Sequence, residues 1–359
     1  MKRWRTLPLA LLSLLAMTAE PATAANWPAP TEGDYAIRDF RFASGEVLPE
    51  LRLHFRTLGT LHRDAHGHAD NAVLIMHGTG GAGTQFLQER FAGELFGPGQ
   101  PLDATKYFII LPDAIGHGRS SKPSDGLRMK FPRYDYDDMV RADYRLLTGK
   151  LKVDHLRLVM GTSMGAMHTW VWGEMYPDFM DALMPLASAP VQIAGRNRVM
   201  RKMIADAIRN DPEWNQGDYA RQPRGLIDAA HIVLLMGSAP LQWQNEAPDR
   251  DSADRYLATR LETLLKDDDA NDCLYQFDAS RDYDPQPRLA SIKAPLLAIN
   301  SADDEINPPE LGIVEREIKK VPRGRFVLIP VSAATHGHST HTWAALWKQH
   351  LVELLDESR

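Results

Sequence analysis

Ser163 is the residue of this sequence best placed to carry out chemistry. It is the centre of Gly161-Thr162-Ser163-Met164-Gly165, a G-x-S-x-G motif that comes after an apolar run and before a helical pattern. This motif is typical of a serine on a sharp turn between a strand and a helix, where the flanking glycines let the backbone pass without steric clashes. The N-terminus of such a helix also favours developing negative charge. Ser163 is therefore a candidate nucleophile for acyl chemistry.

A base and an acid that could activate Ser163 lie in the last third of the chain. A serine hydroxyl is a weak nucleophile at neutral pH and needs a general base, which a carboxylate orients. Asp303 and Asp304 lie in a loop that follows an apolar run, and His336 and His338 lie in the next such loop. The chain order Ser, Asp, His is the one found with G-x-S-x-G nucleophiles. From the residues alone, either aspartate could be the acid and either histidine the base.

The segment His77-Gly78-Thr79-Gly80-Gly81, which follows another apolar run, could complete the site. The tetrahedral intermediate of acyl transfer carries an oxyanion, and each hydrogen-bond donor to it lowers the barrier by about 3–4 kcal/mol. We expect the backbone N–H groups of Thr79 and Met164 to be these donors. A glycine-rich loop could instead hold a phosphate, but this segment lacks both G-x-G-x-x-G and the P-loop lysine.

Three histidines near the C-terminus allow a competing interpretation. His336, His338 and His341, with Asp303 or Asp304, are the ligand types that zinc binds. A zinc site would leave the G-x-S-x-G motif unexplained. The sequence therefore favours a serine hydrolase that uses neither a metal nor another cofactor.

Short apolar runs recur along the chain and predict the elements that position these residues. Apart from Arg157, the runs contain no charged residue, as in parallel strands that are buried on both faces, and helical patterns lie between the runs. Before them, Leu51, Leu53 and Phe55 alternate with polar residues and predict an antiparallel strand with one solvent-exposed face. The alternation of strands and helices indicates an α/β fold. The runs are Ala72–Met76, Tyr107–Leu111, Leu156–Met160, Leu296–Ile299 and Phe326–Ile329.

The strand signal stops between residues 188 and 284. Prolines interrupt polar helical stretches there, and the parallel-strand pattern resumes at Pro295. We therefore expect residues 188–284 to form a helical cap, inserted into a core made of residues 25–187 and 285–359. Large apolar side chains of this insertion either line an acyl pocket or pack the cap helices together. They are Met200, Met203, Trp214, Met236 and Trp243.

The first two dozen residues have the layout of a secretory signal peptide. A basic start with Lys2 and Arg3 precedes an apolar stretch from Leu7 to Met17 and small residues up to Ala24. The apolar stretch is short for a membrane span, although an uncleaved N-terminal anchor is the alternative. We expect cleavage after Ala24 and a periplasmic or secreted protein without a stable membrane anchor. The single cysteine, Cys273, excludes an internal disulfide.

Composition limits the class of partner. The 359 residues are 44% hydrophobic, which is enough for a sizeable buried core, and the formal net charge is −6. This charge gives no long-range attraction for nucleic acid or for an anionic membrane. The expected partner is a small acyl substrate, and a homodimer is left open.

Several segments besides the serine motif match one known family. They are Ala205–Pro212 with Trp214, Gly217–Tyr219, and Asp269–Asn271 ahead of Tyr275. On these segments the chain resembles, from Tyr35 to Leu355, the homoserine O-acetyltransferase family of α/β hydrolases. The resemblance implies the α/β-hydrolase fold, a mostly parallel central sheet flanked by helices, with a helical cap before the strand that carries the acid. It also implies an acyl-enzyme on Ser163, with Asp304 as the acid and His338 as the base.

Two positions depart from the family members that act on homoserine. Those members have an Arg after Gly-Leu-x-x-Ala, which holds the substrate carboxylate, and an Asp after the catalytic His, which holds its ammonium group. Ala230 and Ser339 occupy these positions here. We therefore expect an exported carboxylic-ester hydrolase. An acyltransferase with a different acceptor and a hydrolase-like binding protein without catalysis are the alternatives.

Overall fold

The structure, a computed structural model, describes residues 25–358. The predicted signal peptide, residues 1–24, lies outside the described residues. Within the described part, the strands are β1 (Thr31–Arg41), β2 (Val47–Leu58), β3 (Ala72–Met76), β4 (Phe108–Pro112), β5 (Leu158–Thr162), β6 (Leu183–Leu186), β7 (Leu296–Ser301) and β8 (Gly324–Ile329). The α-helices are α1 (Ala92–Leu95), α2 (Tyr136–Arg145), α3 (Met164–Met175), α4 (Gly195–Arg209), α5 (Gly225–Met236), α6 (Pro240–Glu246), α7 (Arg250–Leu265), α8 (Ala270–Asp278), α9 (Ile313–Glu317) and α10 (Lys348–Glu357).

The strands form one sheet in the order β1-β2-β4-β3-β5-β6-β7-β8. β2 pairs in an antiparallel way with both β1 and β4. β3 to β8 run parallel to one another. Parallel strands need long crossover connections, and helices supply them here. The predicted α/β fold is therefore confirmed.

Helices cover both faces of the sheet, because successive strand side chains point to opposite faces. Leu74 of β3 belongs to a buried cluster that includes Trp170 and Trp172 of α3. Its neighbour Val73 belongs to a second buried cluster, which includes Trp347 just before α10. Burial on both faces explains why the central parallel strands β3 and β4 have uninterrupted apolar sequences.

The expectation that β2 has one solvent-exposed face is wrong at two of its polar residues. His54 and Arg56 are both buried, as are the apolar residues between which they lie. The Arg56 guanidinium pairs with the buried carboxylate of Asp113 at 2.8 Å, and His54 Nδ1 lies 3.0 Å from Asp34 Oδ1. These long-range partners make burial of the polar side chains tolerable.

Residues 188–284, all of which the structure describes, contain helices α4 to α8 and no strand. Ile204 of α4, Leu226 of α5 and Leu274 of α8 share one apolar cluster. Helix α8 is joined to the rest of the chain by Asp272, which accepts hydrogen bonds from the N–H and hydroxyl groups of Ser124 at 2.8 and 2.6 Å. No single helix of the described residues has both the length and the apolar composition of a membrane span, although α5 and α6, which meet at 109°, satisfy those two criteria as a pair.

Two glycines permit the turn between β5 and α3. A Cβ atom on Gly161 would lie 2.2 Å from the carbonyl oxygen of Gly165, and one on Gly165 would lie 2.0 Å from the carbonyl oxygen of Met76. Real Cβ atoms do not approach backbone oxygens this closely, so any side chain would force the turn away from β3. Ser163 itself has φ 55° and ψ −110°, an unfavourable conformation for a residue with a side chain.

We expect Gly165→Ala to lower the free energy of unfolding by about 1–3 kcal/mol, because the backbone must shift to admit the methyl group. The measurement is urea-induced unfolding followed by circular dichroism. Gly237→Ala is the matched control, since a Cβ atom there meets nothing closer than 3.8 Å and φ is −89°. Equal stability of the two variants would contradict the steric account.

Candidate active site

The side chains of Ser163, Asp304 and His338 meet at one edge of the sheet. Ser163 directly follows β5, while Asp304 and His338 follow β7 and β8. These strands are parallel, and only β6 separates β5 from β7. The carboxyl ends of parallel strands lie at the same edge, which is where open α/β sheets place their sites.

His338 connects the other two residues through both nitrogens of its ring. Its Nδ1 lies 2.9 Å from Asp304 Oδ2, and its Nε2 lies 2.8 Å from Ser163 Oγ. A carboxylate can only accept hydrogen bonds, so Nδ1 carries the proton and Nε2 presents its lone pair to the serine hydroxyl. This arrangement can remove the proton from Ser163 as its oxygen attacks a carbonyl carbon.

Asp304 is held as a carboxylate by its surroundings. It is buried, and its Oδ1 accepts hydrogen bonds from the N–H groups of Ile306 and Asn307 at 2.8 and 3.2 Å. The Asn307 side chain donates to Oδ2 at 3.0 Å. Burial alone would raise the pKa of Asp304, but the neighbouring His338 and these hydrogen bonds outweigh it and hold the pKa below its ordinary value. A charged Asp304 can stabilise an imidazolium on His338.

The loop after β3 lies against the turn that carries Ser163. A Cβ atom on Gly78 would lie 3.4 Å from Ser163 Cβ. Thr79 lies outside any helix or strand, and its N–H donates no hydrogen bond within the described residues. Met164 is the first residue of α3, so its N–H has no partner within the helix. Both N–H groups are thus free of protein partners within the described residues, and Thr79 lines the same cavity as Ser163; their role as oxyanion donors stays a prediction.

Two residues that the sequence reasoning did not single out hold this loop in place. The buried ring of His77 accepts a hydrogen bond from the N–H of Ala114 at 3.0 Å and lies 2.8 Å from the carbonyl oxygen of Gly78. Burial lowers the pKa of His77, so its ring stays neutral. Gln85 donates to Thr162 Oγ1 at 2.9 Å and accepts from the N–H of Gly78 at 3.3 Å. His77 belongs to the segment that the sequence analysis named, but its role and that of Gln85 depend on contacts with Ala114 and Thr162, which lie far away in the sequence.

The neighbouring acid and histidines contact other partners. Asp303 accepts hydrogen bonds from the Ser301 hydroxyl and, at 3.0 Å, from the N–H of Gly337. His336 stacks on Trp343, with ring centroids 3.9 Å apart. His341 is half-buried and edge-on to His338, and desolvation of its ring holds its pKa well below the ordinary value. Among the described residues, no group of three or more His, Cys, Asp or Glu could hold a metal ion.

The large apolar residues of the helical segment occupy several different places. Trp243 lines a cavity that also reaches Ser163 and His338. Met200, Trp214 and Met236 pack in the apolar cluster among the helices, which is the second of the two expected alternatives. Met203 is 49% exposed and lines a separate surface depression, so it too lies away from Ser163. Of the five, three pack the helices together, Met203 lies at the surface, and Trp243 lines the cavity that reaches Ser163.

Two cavities open onto Ser163 and His338. The first extends towards β8 and has a mainly apolar wall. The second lies between α6, α7 and the loop after β8, and its wall is largely polar. The side chains that give the second cavity its polar character are Arg90, Gln242, Glu246, Tyr256, Arg260 and His336.

Known proteins resemble this chain over most of its length. A probable acyltransferase of Methanothermobacter thermautotrophicus is 30% identical over 296 residues, which cover 82% of this chain and 89% of that protein. A homoserine O-acetyltransferase of Moorella thermoacetica is 32% identical over 308 residues, which cover 74% of this chain and 80% of the relative. The crystal structure of an acetylester hydrolase from Corynebacterium glutamicum superimposes with a TM-score of 0.79 at 23% identity, covering 91% of this chain and 96% of that one. At this identity the superposition shows a shared fold.

The expected resemblance to the homoserine O-acetyltransferases is therefore confirmed, as is the α/β-hydrolase fold. The model of the alpha/beta hydrolase fold family matches residues 71–341, which is more than half of the chain. Together with the two relatives at 30% identity or more, this match shows that the chain belongs to the α/β-hydrolase fold family.

Proposed function

We propose that this protein is an exported carboxylic-ester hydrolase in which Ser163, His338 and Asp304 act as a catalytic triad. The observation that carries the proposal is the pair of hydrogen bonds from His338, at 2.8 Å to the hydroxyl of Ser163 and at 2.9 Å to the buried carboxylate of Asp304. A serine in such an arrangement is an activated nucleophile for acyl groups.

The reaction proceeds through an acyl-enzyme. Ser163 Oγ attacks the ester carbonyl carbon while its proton passes to Nε2 of His338, and the N–H groups of Thr79 and Met164 stabilise the oxyanion. The tetrahedral intermediate collapses when the bond to the alcohol oxygen breaks and the His338 imidazolium donates its proton to that oxygen. Water, deprotonated by His338, then attacks the acyl-enzyme, releases the carboxylic acid and regenerates Ser163.

An acyltransferase is the second candidate, because the curated relatives at 30% and 32% identity are named as a probable acyltransferase and a homoserine O-acetyltransferase. The same triad would serve, with an alcohol or amine in place of water. Hydrolysis is supported by the residues at the two acceptor-binding positions. Ala230 is a buried residue of α5, and Ser339 lines the polar cavity beside His338. Neither side chain can pair with the carboxylate or the ammonium group of an amino acid.

Export is supported by the sequence of the first 24 residues. Their basic start, apolar middle and small-residue end have the order that a signal peptidase substrate requires. The mature protein would then act in the periplasm or outside the cell, away from cytosolic acyl-CoA. An ester present in that compartment is the corresponding substrate class.

Replacement of the triad residues is expected to abolish most of the activity without unfolding the protein. Ser163→Ala and His338→Ala should each lower kcat for a simple ester by several orders of magnitude, and Asp304→Asn should be somewhat milder. The measurement is steady-state ester hydrolysis, with circular dichroism to check the fold. His336→Ala is the matched control, because His336 stacks on Trp343 beside the same cavity. Equal damage from His336→Ala in a folded protein would contradict the assignment of the base.

Homoserine is expected to be a poor acceptor. The two missing charge-assisted contacts would each have contributed about 1.5–3 kcal/mol, so their loss weakens capture of the acceptor by roughly two to four orders of magnitude. The measurement is acetate against O-acetylhomoserine after incubation with an activated acetyl ester, with and without homoserine. Acetate release should be indifferent to homoserine. Efficient O-acetylhomoserine formation would overturn the prediction and show that other residues of the helical segment bind the carboxylate and ammonium groups of the acceptor.

Cleavage of the leader is expected between Ala24 and Ala25. Expression of the full chain in a secreting bacterial host, followed by intact-mass measurement of the periplasmic or extracellular protein, should give the mass of residues 25–359. A variant with Ala24→Asp should accumulate uncleaved, because the cleavage site requires a small residue there. A full-length mass for the wild-type chain would support the alternative of a retained N-terminal anchor.

A further inference from the structure

The apolar cavity beside Ser163 continues away from the nucleophile across the sheet edge. It begins at Ser163 and Met167, passes the end of β6, and ends against β8 and α9. We call this cavity the acyl channel. The apolar residues of its wall are Met167, Ala187, Ala189, Val191, Ile193, Ala194, Ile306, Pro308, Pro309, Leu311, Ile313, Val314, Phe326 and Leu328.

The sheet order sets the length of the acyl channel. Ser163 follows β5, Ala189 lies shortly after β6, and Leu328 belongs to β8. From β5 to β8 there are three inter-strand spacings of about 4.8 Å, or about 14 Å in total. Phe326 and Leu328 are two residues apart on β8, so their side chains point to the same face of the sheet. The channel therefore has a near end at Ala189 and a far end at Leu328.

The polar side chains of the near wall already have protein partners. Asn300 exchanges two hydrogen bonds with the backbone of Ser188, both at 3.1 Å. The Ser188 hydroxyl accepts from Trp170 at 3.0 Å. Asn307 donates to the carbonyl oxygen of Ala187 at 3.1 Å and to Asp304 Oδ2 at 3.0 Å. Because these groups already form hydrogen bonds within the protein, they offer few further hydrogen bonds to a polar ligand at the near end.

The two arginines of the channel wall are also held by the protein. Arg196 forms an ion pair with Glu305 at 2.7 Å. Arg201 is buried, and its guanidinium donates to Asn197 Oδ1 at 2.9 Å and to the Ser280 hydroxyl at 3.1 Å. Arg201 forms no ion pair within the described residues and remains a positive charge in the wall, so the aliphatic side chains make up most, but not all, of the surface that a guest contacts.

The polar cavity on the other side of His338 has a different character. Arg90 and Arg260 line it, and neither pairs with a carboxylate within the described residues. Arg90 lies over the Trp343 ring and Arg260 over the Tyr256 ring. An apolar chain would desolvate these cations at a cost, whereas a polar alcohol group would not. The two halves of an ester therefore have unequal preferences for the two cavities.

We propose that the acyl channel binds an extended, unbranched apolar acyl chain, and that the alcohol part of the ester occupies the polar cavity. The inference rests on the proposed function, since Ser163 must be the residue acylated. The proposed substrates are therefore esters of medium-length aliphatic acids. Their acyl groups are longer than the acetyl group that homoserine O-acetyltransferases transfer. Each methylene group buried in the channel should raise kcat/KM about threefold to fourfold until the channel is full.

The test is a series of p-nitrophenyl esters from acetyl through butanoyl, hexanoyl and octanoyl to decanoyl. For the wild-type chain, kcat/KM should rise with chain length and then level off. Leu328→Trp, at the far end, should lower the decanoyl-to-butanoyl ratio of kcat/KM by tenfold or more. Ala189→Phe, at the near end, should lower the hexanoyl-to-acetyl ratio as well. In a channel, a block at the far end should affect only the longest acyl chains, and a block at the near end should also affect shorter ones. A general loss of stability would not produce this dependence on chain length.

Val331→Trp is the matched control, because Val331 follows β8, is 51% exposed and does not line the channel. It should leave the chain-length profile unchanged. Three outcomes would overturn the channel proposal. The first two are a preference for the acetyl ester and a steady decline of kcat/KM with acyl-chain length. The third is a chain-length profile of Leu328→Trp and Ala189→Phe that is the same as the profile of Val331→Trp. The first two would leave ester hydrolysis by Ser163 intact. Turnover of no ester at all would overturn both the channel and the proposed function.

Discussion

The candidate site depends on one interaction, the hydrogen bond between the ring of His338 and the buried carboxylate of Asp304. It fixes which nitrogen of the imidazole carries the proton and turns the other nitrogen towards Ser163. Burial raises the pKa of Asp304, but the neighbouring His338 and the hydrogen bonds from Ile306 and Asn307 together hold it below its ordinary value.

The sequence predicted the α/β fold and the region where the site lies, because both depend on local patterns. Uninterrupted apolar runs indicate buried parallel strands, and the carboxyl ends of such strands share one edge. Ser163 and the two loops behind it could therefore be placed together before any coordinates were known. Sequence spacing could not decide whether Asp303 or Asp304 is the acid, because the two residues are adjacent. Only the folded loop determines which of the two side chains points towards His338. The family resemblance favoured Asp304, and in the structure Asp304 contacts His338 while Asp303 binds the backbone of Gly337.

Features set by distant contacts were not predictable in this way. The alternating pattern predicted that Arg56 lies on an exposed strand face. In the structure Arg56 is buried and donates a hydrogen bond to Asp113, which lies 57 positions away in the sequence. Strand β6 was missed because it has only four residues, and one of them is Pro185. Met200 and Met236 looked suited to a pocket, yet whether a helix turns such a side chain to a cavity or to another helix depends on the packing of α4, α5 and α8.

The structure thus brings Ser163, His338 and Asp304 into one hydrogen-bonded arrangement at the sheet edge, with two unlike cavities beside it. The central claim is that Ser163 becomes acylated during turnover. The most direct measurement is rapid acid quenching of the mature protein with an activated ester, followed by intact-mass analysis and peptide mapping. The account predicts a mass increase equal to the acyl group, located on the peptide that contains Ser163 and absent from Ser163→Ala. Ester hydrolysis that proceeds with no adduct in the wild-type protein, or with an adduct on another residue, would contradict it.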